Sequence, residues 1–285
     1  MTPIMRRRTW LTLLAAGTVA ALTGGGAADA DPLPDPSTRF PRGVPAPPPN
    51  LRQSPPLPQA ATLLPPPPPG PKTRLAPGTI TKLPGTGTNL ALTVDDGADA
   101  DVVGAYIKFA QDTGARFTFF VTAAYPSWTT HRDALRPLVD SGQIQLGNHT
   151  WNHPALTRLS AAGVADQLSR TKTFLRNTFG VDGTPFYRPP YGYHDALVDR
   201  VAADQGYTVP TMWYGSLSDS SIITPEYLVK MAGQYFNPQA IVIGHANHPA
   251  VMQCYSQMTD IIKQRNLSMV TLNDVTLPPL DSAHQ

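Results

Sequence analysis

Cysteine, glutamate and long apolar runs are nearly absent from this 285-residue chain. The one cysteine, Cys254, excludes a disulfide framework and any zinc site built from several thiolates. It falls in a predicted helix and reads as a buried core thiol. The one glutamate, Glu226, leaves aspartate as the carboxylate for acid–base chemistry. The longest apolar run near the N-terminus, Trp10–Leu22, has 13 residues, short of the roughly 17–25 that span a bilayer. A strong excess of one charge is missing too. The formal net charge is +2, so a basic nucleic-acid-binding domain of pI above about 9 is not expected.

Proline is abundant, and 19 of the 32 fall between Asp31 and Gly85. That stretch has little apolar surface and few backbone donors, so it predicts a disordered spacer over 31–85. Fully extended as polyproline II, it would reach on the order of 170 Å. Its six basic and two acidic residues give +4, whereas residues 86–285 carry 13 basic and 17 acidic groups, giving −4. Ahead of the spacer, Arg6, Arg7 and Arg8 precede the apolar run, and Ala28-Asp29-Ala30 offers a small-residue cleavage site. This is the layout of a signal peptide over 1–30, so the chain is expected to be exported from a bacterial cell, free of a membrane span after cleavage. Arg7-Arg8-Thr9-Trp10-Leu11 also resembles a twin-arginine signal.

The remaining 200 residues, 86–285, suit one domain. Strand-like runs are predicted at Asn89–Val94, Arg116–Thr122, Gln143–Leu146, Pro185–Arg188, Tyr207–Trp213, Ala240–Ile243 and Ser268–Leu272. Helical patterns separate them at Asp99–Asp112, His131–Asp140, Ala161–Phe179, Ala196–Gln205, Pro225–Tyr235 and Pro249–Gln264. Seven strands, each but the last followed by a helix, predict a parallel α/β fold, an open sheet or a barrel.

Functional groups in such folds gather where strands end. Asp95 and Asp96 follow the first strand, His149 and His153 the third; Arg188 closes the fourth, Asp219 lies beyond the fifth and His245 follows the sixth. Of two adjacent carboxylates, one can ligate a metal while the other acts as base. Imidazoles at i and i+4 suit zinc, and with an aspartate they make a three-ligand set that leaves positions for water and substrate. Arg188, stiffened by Pro189 and Pro190, needs a carboxylate if buried, and Asp95 is the candidate. His245 leaves a buried strand and is a candidate general acid. Tyr125, Trp128, Trp151 and Trp213 fall in or near the loops of the same face and are candidates for stacking on sugar rings.

Together Thr93-Val-Asp-Asp-Gly97, His149-Thr-Trp-Asn-His153, Arg188-Pro-Pro-Tyr-Gly192 and Ile241-Val-Ile-Gly-His245 resemble, in order, the motifs of the polysaccharide deacetylases, the NodB-homology or carbohydrate esterase family four proteins. The resemblance implies a distorted (β/α)7 barrel and a metal-dependent hydrolase that removes acetyl groups from a carbohydrate polymer. It implies Asp95 as base and Asp96, His149 and His153 as ligands of a divalent ion, zinc or else cobalt or another. Arg188 would hold Asp95, the Tyr191 backbone N–H would face the oxyanion, and His245, tuned by Asp219, would be the acid. The expected substrate is cell-wall peptidoglycan, with chitin or acetylated xylan as alternatives and a non-catalytic wall-binding protein as rival. A monomer is expected. Three positions depart from the pattern. Ala98 stands where the family usually has proline, and in the fourth motif, which survives partly in Trp213-Tyr-Gly-Ser-Leu-Ser-Asp-Ser220 ahead of Ile241–His245, Ser216 and Ser220 replace the first aspartate and last tryptophan, leaving Asp219 at its usual spacing from Trp213.

Overall fold

The computed structural model describes residues 63–67 and 70–280. The signal expected at 1–30, the spacer up to residue 62, and residues 281–285 lie outside them. The order of elements is β1 (Thr73–Arg74), β2 (Asn89–Asp96), α1 (Ala100–Thr113), β3 (Phe117–Val121), α2 (Ser127–Thr130), α3 (Arg132–Asp140), β4 (Ile144–Asn148), α4 (Ala161–Phe179), β5 (Phe186–Tyr187), α5 (Ala196–Ala203), β6 (Val209–Pro210), β7 (Gly215–Ser216), α6 (Pro225–Tyr235), β8 (Ala240–His245), α7 (Tyr255–Gln264), β9 (Ser268–Met269), α8 (Leu272–Val275) and β10 (Thr276–Leu277).

Eight strands form one parallel sheet along the path β6-β5-β4-β3-β2-β8-β7, with β9 also paired to β2. Its curl is that of the distorted barrel, and helices cover the outside. The two-residue period of a strand divides the core. In β2, Leu90, Leu92 and Val94 face the helix layer with Tyr106, Phe119 and Val242. Ala91 joins Phe120, Phe186, Val209 and Ile241 inside the curl. The helices start and stop where side chains satisfy their ends. Asp99 accepts from the Asp101 and Val102 N–H groups at the start of α1, and Gly180 closes α4 at φ 74°, a conformation that costs glycine little.

Three expectations change. The strand expected over Tyr207–Trp213 is only Val209–Pro210, because the carbonyls of Thr211 and Met212 are taken by the Arg188 guanidinium. The helix expected over Pro249–Gln264 is a 3-10 turn, Pro249–Gln253, followed by α7. The strand expected over Ser268–Leu272 stops early, since Thr271 and Asp274 make a reciprocal cap that starts α8 at Leu272.

Packing also begins ahead of Thr86. Within the described part of the proline-rich stretch, β1 pairs in parallel with β10. Ile80 bridges Thr211 while Lys82 bridges Ala240, so this segment runs along the sheet. Leu75 and Leu83 are buried in the inner cluster. Order therefore begins ahead of the boundary expected at residue 86, because leucines placed among the prolines supply apolar contacts. No helix among the described residues is long and apolar enough to cross a membrane.

Leu83→Ala should destabilise the full chain by about 2–5 kcal/mol in urea unfolding, the range for emptying a buried leucine site. A change below about 0.5 kcal/mol would mean that the segment adds nothing to the fold.

Candidate active site

Strand register assembles the site. Asp95 pairs with His245 across β2 and β8, and Asn148 pairs with Tyr187 across β4 and β5, so His149 and Arg188 leave neighbouring strands side by side. Thr93 and Asp95 share the inner face of β2, and Arg188 reaches both. Its Nη1 donates to Asp95 Oδ1 at 2.6 Å and to Thr93 Oγ1 at 2.9 Å. Its Nε donates to the Thr211 carbonyl at 2.7 Å, and its carbon lies 4.3 Å from the Phe120 ring centroid. Arg188 is fully buried. Burial pulls its pKa below the ordinary value, against the opposing pull of Asp95.

Asp96 follows Asp95, and at φ 74° it turns the chain so that both carboxylates serve one pocket. Its Oδ1 lies 3.4 Å from His149 Nε2 and 3.3 Å from His153 Nε2. The ligand atoms of Asp96, His149 and His153 all fall within 4.8 Å of one another. Ligand bonds of about 2.0–2.1 Å would place tetrahedral donors about 3.4 Å apart, so the set fits a small divalent ion. The tautomer fits as well. His149 Nδ1–H donates to the Arg188 carbonyl at 2.7 Å, which turns Nε2 toward Asp96.

The electrostatics of the pocket are strongly coupled. Burial would raise the Asp96 pKa, but the hydrogen bond from His149 and the fields of His149, His153 and His245 hold it well below the carboxylate range. Burial would lower that of His149, yet Asp95 and Asp96 raise it. His153 is held down at about 4, by burial first and then by His149. Such a pocket, with a neutral imidazole beside an ionised carboxylate, is one that a cation would relieve.

His245 stands across the pocket, its Nδ1 donating to Asp219 Oδ1 at 2.9 Å. Asp219 Oδ2 also accepts the His245 backbone N–H at 3.1 Å. Burial lowers the His245 pKa, and the Asp219 hydrogen bond and charge outweigh it, so the net shift is upward. The altered fourth motif thus retains the pairing of Asp219 with His245.

The aromatic candidates separate. Trp128 is fully buried; its Nε1–H donates to the carbonyls of Asp96 and Thr122, at 3.2 and 3.1 Å. A β-carbon at Gly97 would lie 2.3 Å from its ring. Trp128 therefore braces the aspartate turn and is not placed to stack on a ligand. Trp151 packs on the outer core with the Arg170 guanidinium 4.3 Å from its ring centroid. Trp213 lies 5.6 Å from the Arg188 carbon, and a β-carbon at Gly192 would meet its ring at 3.2 Å. Tyr125 is half-buried, its pKa raised by burial and then by the Asp96 charge. Tyr191, at φ 61°, is 60% exposed, and its ring meets His153 edge-on at 4.7 Å.

Sequence reasoning missed Asn247, whose Nδ2 donates to Asp96 Oδ2 at 2.6 Å. Its signal was position, two residues beyond His245 on a loop leaving a central strand. It also missed Thr93, which shares Arg188 with Asp95 and whose signal was its place two residues before Asp95.

Residues 82–210 match the family model for polysaccharide deacetylase. The chain is 33% identical over 132 residues to chitin deacetylase 1 of Cryptococcus neoformans, covering 46% of this chain and 27% of that one. It is 25% identical over 190 residues to a peptidoglycan-N-acetylglucosamine deacetylase of Listeria monocytogenes, covering 67% and 39%. The chain spans less than two thirds of the length of both. Among solved structures, the chitin deacetylase of Colletotrichum lindemuthianum superposes with a TM-score of 0.63 at 21% identity, covering 72% of this chain and 93% of that one. A family-four pseudoenzyme from Bacillus anthracis superposes with a TM-score of 0.62 at 19% identity, covering 73% and 72%. One fold thus serves a deacetylase and a pseudoenzyme, so activity depends on the residues that the site holds. Motif order, the curled parallel sheet and the match across residues 82–210 agree: residues 82–210 match the polysaccharide deacetylase family in sequence, and the domain has that family's fold.

Proposed function

We propose that this chain hydrolyses the N-acetyl groups of cell-wall peptidoglycan, acting outside the cell as an exported monomer. The observation that carries the reading is the convergence of the Asp95–Arg188 pair, the Asp96, His149 and His153 donors and the Asp219–His245 pair at the ends of adjacent strands. A zinc or cobalt ion held by Asp96, His149 and His153 would supply Lewis acidity at the acetyl carbonyl. Asp95, oriented by Arg188, accepts a proton from the water that attacks the acetyl carbon. The Tyr191 backbone N–H faces the oxyanion, a donor worth about 2.7–4 kcal/mol in comparable sites. His245, protonated and held by Asp219, gives its proton to the departing amine as the carbon–nitrogen bond breaks, and acetate leaves.

The choice of polymer draws on three supports. The Listeria relative bears the name of a peptidoglycan deacetylase. The N-terminal signal and basic spacer suit a wall substrate. Beside His153, a cleft of about 440 Å³ is lined by Pro154, Ala155, Arg158, Leu159, Tyr191 and Tyr193; it offers aromatic faces and a cation to a polymer that carries sugar rings and carboxylates.

Acetate release measured side by side on peptidoglycan, chitin oligomers and acetylated xylan should be greatest on peptidoglycan, stop with a chelator and return with zinc or cobalt. Undiminished release from metal-stripped protein would sink the mechanism, and sugar binding without release under any metal would make the chain a receptor.

Asp95→Asn should keep the metal and lower kcat by about 10²–10⁴-fold, the usual worth of a positioned base. Loss of metal along with activity would mean that Asp95 and Asp96 have exchanged roles.

Asp219→Asn removes the charge that holds the His245 pKa up. The acid then deprotonates at lower pH, so the basic limb of the kcat/KM profile should move to lower pH. An unmoved limb would dissociate Asp219 from the acid.

A further inference from the structure

We propose that Asn247 and the backbone N–H of Ala98 form a lock on Asp96 that fixes which carboxylate oxygen faces the cation pocket, and so sets the pocket's affinity for a divalent metal. The proposal rests on the reading of Asp96, His149 and His153 as metal ligands.

An aspartate carboxylate turns readily about its last torsion and has lone pairs on both oxygens. Left free, Asp96 could offer either oxygen, or both, to a cation. In this chain Oδ1 faces the two imidazoles at 3.4 and 3.3 Å, while Oδ2 is engaged by Asn247 Nδ2 at 2.6 Å. The amide therefore leaves one oxygen for the metal.

An amide can turn over as well, and the reversed Asn247 would set its oxygen against Asp96 Oδ2, acceptor against acceptor. The Ala98 N–H prevents this by donating to Asn247 Oδ1 at 3.2 Å. One orientation alone gives the amide oxygen a donor and the amide nitrogen an acceptor. The loop that carries Asn247 is tied down on either side of the aspartate turn. Ala246 donates its N–H to the Asp95 carbonyl at 3.0 Å, and its own carbonyl accepts from Asp99 at 3.1 Å.

Here the departure at position 98 acquires a role. Proline, which the motif usually carries there, has no N–H to give. Ala98 is exposed, so its backbone donor is the contact through which it reaches the site. Asn247 and Ala98 act through Asp96; they are positioning residues.

The test is zinc affinity of the full chain, measured by competition with a chromogenic chelator, for wild type, Asn247→Leu, Ala98→Pro and Ala98→Gly. Asn247→Leu should weaken zinc by about 10–100-fold, the usual cost of losing a group that orients a ligand. Ala98→Pro should weaken it in the same direction, and Ala98→Gly, which keeps the N–H, should bind as wild type does. The visible spectrum of the cobalt-loaded protein should change in Asn247→Leu and in Ala98→Pro, but not in Ala98→Gly. Melting of the metal-free proteins separates a lost lock from a damaged fold. Should Asn247→Leu not fold, the exposed position decides alone: equal affinity of Ala98→Pro and Ala98→Gly overturns the proposal. Wild-type protein that holds no zinc overturns the metal reading itself, whereas tight binding that none of the variants disturbs overturns only the lock.

Discussion

A guanidinium with no exposure to solvent lies inside the curled sheet, and the candidate site is arranged around it. Arg188 spends its side chain on Asp95, Thr93 and the carbonyls of Thr211 and Met212. Its own carbonyl accepts the His149 Nδ1–H. One residue thus orients Asp95 with its side chain and His149 with its backbone. Burying such a charge is costly unless its hydrogen bonds are nearly complete, and removing one partner of a buried pair typically costs about 3–5 kcal/mol. The same demand explains why β6 is so short: the carbonyls that would have extended it are committed to the cation.

The sequence was most legible where local periodicity and the tertiary structure ask for the same thing. Helix α4 has the bounds that Ser160, Gly180 and the apolar spacing between them indicate, and Asn89–Val94 forms the core of the central strand. The candidate site residues were legible as a set because strand ends collect them, and the structure brings Asp95, Asp96, His149, His153, Arg188 and His245 to one pocket. What escaped depends on contacts distant in sequence. Trp128 looks like a loop aromatic until its indole is seen to donate to two carbonyls beneath the aspartate turn. Asn247 has no pattern of its own, and its partners Asp96 and Ala98 lie about 150 positions away. The leucines of the proline-rich stretch were hidden by their neighbours, since composition averages over the few side chains that pack.

The serines of the fourth motif take a place in the same scheme. Ser216 Oγ accepts the Ser218 N–H at 2.9 Å, and Ser218 adopts φ 60°. Together they shape the turn that delivers Asp219 to His245. Ser216, where the motif usually has an aspartate, is here a turn-forming hydroxyl, and His245 keeps its bond to Asp219.

The pairing of β1 with β10 has a consequence for the order in which the chain is made. Arg74 Nη1 donates to the Pro278 carbonyl across 204 positions, and Thr73 registers with Thr276. The segment that leaves the ribosome before the rest of the domain must therefore wait for the last strand to be synthesised before it pairs. Contacts so distant in sequence close late and fold slowly, and the fold is complete only in a finished chain.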